Sequence, residues 1–132
     1  METQHSNAQN TGDPLMEIYK EFTFEAAHRL PNVPEDHKCA NLHGHSYVVK
    51  ITVEGPVDPE TGWVQDFYDL GEAFAPVRTQ LDHQYLNELP GLSNPTSEVL
   101  AEWLYVELKA KLPWLTQVEV KETKTSGCVY RV

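Results

Sequence analysis

The sequence predicts an α+β domain: a four-stranded antiparallel sheet with two helices inserted after its second strand, in the order β-β-α-α-β-β. Three observations carry that reading. Residues 16–28 and 43–54 alternate apolar and polar with period two. Residues 67–112 instead repeat their apolar positions every three or four residues, the helical spacing. From Val118 to Val132 the period returns to two. The 132 residues amount to one domain, and 40% hydrophobic content is enough for a core.

The elements follow in order. Residues 1–14 are polar and read as a disordered tail without chemistry, which leaves 15–132 as the single domain. In the first strand Met16, Ile18, Phe22, Phe24, Ala26 and His28 share a face interrupted only by Lys20. Residues 29–42 hold two prolines and mixed charge, so they form a loop. The second strand puts His43, His45, Tyr47, Val49, Ile51 and Val53 on one face, and the turn-rich GPVDPETG (55–62) closes it. Phe67, Leu70, Phe74, Val77 and Leu81 pattern the first helix, which Pro76 should kink or force to start later. Thr96-Ser97-Glu98 opens the second helix, with Leu100, Trp103, Leu104, Leu108 and Leu112 on its apolar face and Pro113 as its stop. Val118 and Val120 begin a third strand whose face continues to Glu122. Gly127 marks a turn, and Cys128, Tyr130 and Val132 pattern the fourth strand.

Charge and cysteines exclude several function classes. The net charge is −10, which argues against nucleic acid or an anionic membrane as partner, since both need a basic face. No apolar run approaches about 18 residues, so none spans a membrane. Two cysteines, Cys39 and Cys128, are no disulfide framework, and the polar start carries no signal-peptide pattern. A reducing cytoplasm with free thiols is the expectation.

Histidines carry the first chemical signal. His28 closes one apolar face, and His43 and His45 open the next. If the two strands pair antiparallel, all three lie at one end of the hairpin and point the same way. Three neutral imidazoles with an open fourth position suit a divalent cation, Zn²⁺ above all. Cys39 then has two readings. It is either the fourth ligand of a closed structural site or a reactive thiolate beside an open one, near Lys38. Asp82-His83 is a weaker signal: an Asp beside a His can orient its ring, but adjacent helical side chains diverge. Glu122 lies on an apolar strand face, where a carboxylate must pair with a basic residue or hold a ligand such as a 2-amino-pyrimidinone edge. Cys128 continues an apolar face and reads as a small buried hydrophobe.

Six stretches, in order, resemble one family: FTFEAAHRL (22–30), HKCANLHGHSY (37–47), DPETGWVQDF (58–67), LDHQYLN (81–87), NPTSEVLAEW (94–103) and VKETKTSGCVYR (120–131). It is the 6-pyruvoyl-tetrahydropterin synthase / 6-carboxy-tetrahydropterin synthase family. PGLSNPTSEVLA and KETKTSGCVYR resemble its 6-carboxy branch, which serves queuosine (7-deazaguanine) biosynthesis. The resemblance implies the T-fold, or tunnelling fold, with zinc on His28, His43 and His45. It implies Cys39 as catalytic base rather than ligand, with Asp82 and His83 assisting proton transfer and Glu122 anchoring the pterin. Thr96, Ser97 and Lys124 fall at substrate-binding positions. The implied reaction converts 7,8-dihydroneopterin triphosphate to 6-carboxy-5,6,7,8-tetrahydropterin with release of acetaldehyde and triphosphate. The 6-pyruvoyl reaction is the alternative, and a non-enzymatic zinc-binding T-fold module is a further one. Sites in the family lie between subunits, usually in a hexamer of two trimers. Two departures stand out: a longer N-terminal tail, and Asn41 where a basic residue is often expected.

An anionic substrate sharpens the question posed by the −10 charge. The last twelve residues hold Lys121, Lys124 and Arg131 against Glu122, and Arg29 and Lys38 flank His28 and Cys39. The expectation is a local positive mouth built from the metal and some of these five residues, on an otherwise acidic surface.

Overall fold

The computed structural model describes residues 13–132. The predicted tail therefore lies outside the described residues, apart from Asp13 and Pro14, which are exposed and without regular structure. Strand β1 (Met16–His28) and strand β2 (His43–Gly55) pair antiparallel along their whole length, from Met16 opposite Gly55 to His28 opposite His43. Helix α1 (Phe67–Leu81), the two-residue strand β3 (Gln84–Tyr85) and helix α2 (Ser97–Lys109) follow. Strands β4 (Leu115–Thr123) and β5 (Ser126–Arg131) close the chain.

The sheet has five strands in the order β3-β1-β2-β4-β5, and it is mixed rather than wholly antiparallel. The additional strand, β3, runs parallel to the end of β1, with Gln84 opposite Ala26 and Tyr85 opposite Ala27. Two residues are too few to leave a period-two signal, which is why the sequence reads as four strands. The remaining four pair antiparallel, β1 with β2, β2 with β4 and β4 with β5.

Both helices cover one face of the sheet, α1 over β1 and α2 over β4 and β5. Alternation along the strands aims Phe24, Tyr47, Val49, Ile51, Val118 and Val120 into the layer between. Leu70, Phe74, Val77 and Leu81 of α1 and Leu100, Leu104 and Leu108 of α2 fill it from the other side. Phe22 stacks on Phe74 at 4.2 Å and Phe24 on Tyr47 at 4.9 Å. Such pairs add about 0.5–1.5 kcal/mol each beyond burial. The second stack abuts the His28/His43 end of the hairpin. The opposite face, with Glu17, Tyr19, Glu21 and Glu25, is exposed. No helix among the described residues is long and apolar enough to cross a membrane.

Several element ends differ from the sequence reading. Pro76 neither delays nor ends α1, which begins at Phe67 and contains it. The Asp66 carboxylate accepts the Tyr68 N–H at 3.0 Å and fixes the start. Pro76 lies on the exposed face, so the helical hydrogen bond it removes is lost at a solvated position. Phe67, expected on the apolar face, is exposed in that first turn. Helix α2 ends at Lys109, before Pro113, and the buried Leu112 lies beyond it. Val132, expected in the last strand, lies past β5 and is exposed.

One irregularity positions a candidate residue. Pairing of β4 with β5 slips between Lys121, opposite Gly127, and Thr123, opposite Ser126, so Glu122 has no cross-strand partner. A Cβ at Gly127 would stand 2.7 Å from the Val120 carbonyl oxygen. The bulge therefore depends on glycine at 127. Gly127→Ala is expected to lower stability by about 1–3 kcal/mol through this overpacking, measured by urea unfolding. An unchanged midpoint would mean that the strands separate there without cost.

Candidate active site

The hairpin register brings the three histidines together. His28 stands opposite His43, and His45 opposite Ala26, so the rings share the helix-covered face at one end of the β1–β2 pair. His28 is buried, and His43 and His45 are partly so. One nitrogen from each lies within 4.8 Å of the others.

Backbone carbonyls set the protonation of two rings. His28 Nδ1 lies 2.8 Å from the Pro95 carbonyl oxygen, and His43 Nδ1 lies 2.7 Å from that of Asn41. A carbonyl only accepts, so each Nδ1 carries the proton and each neutral ring keeps a lone pair on Nε2. These two Nε2 atoms face each other at 3.0 Å. Two bare lone pairs repel unless a cation or proton lies between them. The third imidazole adds an unsatisfied nitrogen: His45 Nε2 is buried without a hydrogen-bond partner. Burial also pushes the His28 pKa down, against the opposing pull of the Pro95 carbonyl and Glu122. That keeps the ring neutral, as a metal ligand must be. The donor set fits a divalent ion held by three imidazoles, with supporting carbonyls behind two of them.

Glu122 belongs to the same environment. Its charge acts on both His28 and Tyr47. Burial, with Glu122 adding to it, pushes the Tyr47 phenol up, and the Tyr47 hydroxyl lies 3.2 Å from His28 Nδ1. Among the described residues no lysine or arginine pairs with Glu122. Instead the Ser97 hydroxyl donates to its Oε2 at 2.8 Å. This removes the salt-bridge reading and leaves a half-buried carboxylate beside the histidines, with one oxygen engaged. The Thr96 hydroxyl caps α2, accepting the Val99 N–H at 3.1 Å.

Cys39 lies outside the convergent cluster, in a single 3₁₀ turn (Lys38–Ala40) of the β1–β2 connection. Its amide donates to His37 Nδ1 at 3.0 Å, and its carbonyl accepts the Leu30 N–H at 2.8 Å. The backbone is thus held on both sides while the thiol is partly exposed. Cys128 is also partly exposed, and burial pushes its thiol up.

Asp82 and His83 form a pair at the end of α1. Asp82 Oδ2 lies 3.1 Å from His83 Nδ1, and Asp82 Oδ1 accepts the Glu25 N–H at 2.9 Å. The Glu25 amide, then the His83 contact, hold the Asp82 carboxyl below the usual range. His83 takes φ +61°, a left-handed conformation uncommon outside glycine, and so turns away from the helix. Its ring is 77% exposed. It borders a depression of about 480 Å³ at the edge of β1, lined by Glu25, Gly44 and Ser46 of the open sheet face together with Ala26 and His45. Within one chain the pair thus stands on the other side of the sheet from the histidine cluster. Strand alternation gives the same answer for two members of the predicted positive mouth. Lys121 and Arg131 alternate away from Val118 and Val120 onto the open face, where Arg131 donates to Gln117 at 3.0 Å. Lys124 is exposed in the β4–β5 turn.

The sequence reading did not find the Pro95 and Asn41 carbonyls or the Ser97–Glu122 bond. The first two are main-chain groups in loops, where residue type carries no signal. The third pairs residues 25 positions apart, and only the packing of α2 on β4 brings them together.

The chain is similar to known proteins in sequence and in fold. A Synechocystis protein named 6-carboxy-5,6,7,8-tetrahydropterin synthase is 46% identical over 119 residues, covering 86% of this chain and 91% of that one. A Bacillus subtilis protein of the same name is 35% identical over 127 residues, covering 87% and 84%. The solved Caenorhabditis elegans 6-pyruvoyl tetrahydropterin synthase superposes with a TM-score of 0.84 at 29% identity, over 91% of this chain and 97% of that one. The family described as 6-pyruvoyl tetrahydropterin synthase matches residues 17–132, and the chain belongs to it.

Proposed function

We propose that the protein is a zinc-dependent 6-carboxy-tetrahydropterin synthase. It takes 7,8-dihydroneopterin triphosphate and one water, and yields 6-carboxy-5,6,7,8-tetrahydropterin, acetaldehyde and triphosphate. The observation that carries the reading is the set of three convergent imidazoles, two with Nε2 lone pairs fixed by carbonyls, beside the half-buried Glu122. The Synechocystis relative's name supports the 6-carboxy product. When bound, the divalent ion supplies Lewis-acid polarisation of the substrate's side-chain oxygens.

The chain's own residues do the rest. Glu122 accepts the paired N–H groups of the pterin's amino-pyrimidinone edge, with Ser97 holding its second oxygen and Thr96 and Lys124 bordering the ligand. Cys39, as thiolate, takes a proton from the side-chain carbon. His83 relays protons through its free Nε2, because Asp82 engages Nδ1. Since Asp82 and His83 sit on the opposite sheet face, the reading assigns them to the site of a second copy. A hexamer of two trimers with sites between subunits supplies such copies. Redox shuffling between ring and side chain then needs no nicotinamide. Arg29 and Lys38 counter the triphosphate charge. The pathway is queuosine biosynthesis, in the cytoplasm.

Product analysis tests the assignment. Incubated with 7,8-dihydroneopterin triphosphate, the protein should release acetaldehyde and triphosphate in equal amounts. Triphosphate without acetaldehyde would instead assign the 6-pyruvoyl reaction, the activity named for the Caenorhabditis structure. Cys39→Ala should lower kcat by about 10²–10⁴-fold, the range for a lost general base, with metal content unchanged. Undiminished turnover in that variant would remove Cys39 from the mechanism.

A further inference from the structure

Asn87 has no part in the reading above, yet it holds the backbone around a metal ligand. It follows β3, whose two residues pair with Ala26 and Ala27. Main-chain pairing stops there, and at Arg29 the Asn87 side chain takes it over. Its Oδ1 accepts the Arg29 N–H at 3.0 Å, and its Nδ2 donates to the Arg29 carbonyl at 2.9 Å. One amide thus satisfies both backbone groups of the residue after His28, as another strand would. The same Nδ2 also reaches the Ser93 carbonyl at 3.4 Å. Ser93 stands two residues before Pro95, whose carbonyl fixes the His28 tautomer.

We propose that Asn87 is the positioning residue of the metal centre: one amide fixes both the end of β1 that carries His28 and the loop that carries its supporting carbonyl. The inference rests on the metal-site reading. The chemistry demands an amide. An aspartate of the same shape has only acceptors at neutral pH, so two of the three contacts become oxygen facing oxygen. The direction of His28 Nε2 would then follow the loosened backbone. Residues that orient a ligand in this way typically contribute 10–100-fold to metal affinity.

The test uses the full-length protein, stripped with a chelator and titrated with Zn²⁺ and separately with Co²⁺. Asn87→Asp is expected to raise the Zn²⁺ Kd by about 10–100-fold and to change the Co²⁺ d–d spectrum. Val53→Ala, a core truncation at the far end of β2 from the histidines, controls for stability: it should lower apo-protein unfolding temperature and leave the Kd unchanged. A folded Asn87→Asp variant with a Kd within twofold of wild type and the same spectrum overturns the proposal. If Asn87→Asp does not fold, Asn87→Ala, which removes the contacts without adding charge, is read by the same two measurements. Should the wild-type protein bind neither ion, the metal reading itself fails. That outcome is distinct from equal binding by wild type and variant.

Discussion

The site depends on one constraint: two backbone carbonyls accept the N–H protons of the outer nitrogens of His28 and His43 and so leave the inner nitrogens bare. Pro95 and Asn41 accept at 2.8 and 2.7 Å, and the two Nε2 atoms then face each other at 3.0 Å. An ordinary hydrogen-bonded histidine pair would offer a donor to an acceptor. This pair offers two acceptors, with a third unpartnered nitrogen from His45 beside them. The arrangement is stable when a cation occupies the common point, and burial of His28 favours the neutral ring that such a cation requires.

The same loop reaches both the imidazole cluster and Glu122. Pro95 supports His28, Thr96 caps α2, and Ser97 donates to Glu122. Three consecutive residues thus couple the imidazole cluster to the carboxylate proposed to hold the pterin. The coupling works because α2 packs over β4 while its N-terminus lies over the end of β1. The bulge at Glu122 completes the geometry by freeing that residue from cross-strand pairing.

Much of this was legible in the sequence. Period-two alternation gave the hairpin, and the positions of His28, His43 and His45 within it gave the cluster, because a strand face leaves few alternatives once its register is set. The pattern stopped short where contacts involve main-chain groups or very short elements. Strand β3 is two residues long, and Pro76 sits on a solvated helical face where its cost is small. The alternation rule also fixes the faces of several candidate residues within one chain once the register is known. Lys121 and Arg131 lie across the sheet from the histidines of their own chain, as do Asp82 and His83. The sequence grouped these residues by chemistry, and the sheet separates them by face. The proposed assembly is the arrangement under which residues on opposite faces of different chains would share one site.

The proposed metal site is open and made of three imidazoles, with Cys39 apart from it. X-ray absorption at the zinc edge of the resting full-length protein tests this directly. The expected first shell is nitrogen and oxygen only, with imidazole scattering from three rings. A sulfur scatterer near 2.3 Å, the zinc–thiolate distance, would instead make Cys39 a fourth ligand of a closed structural site.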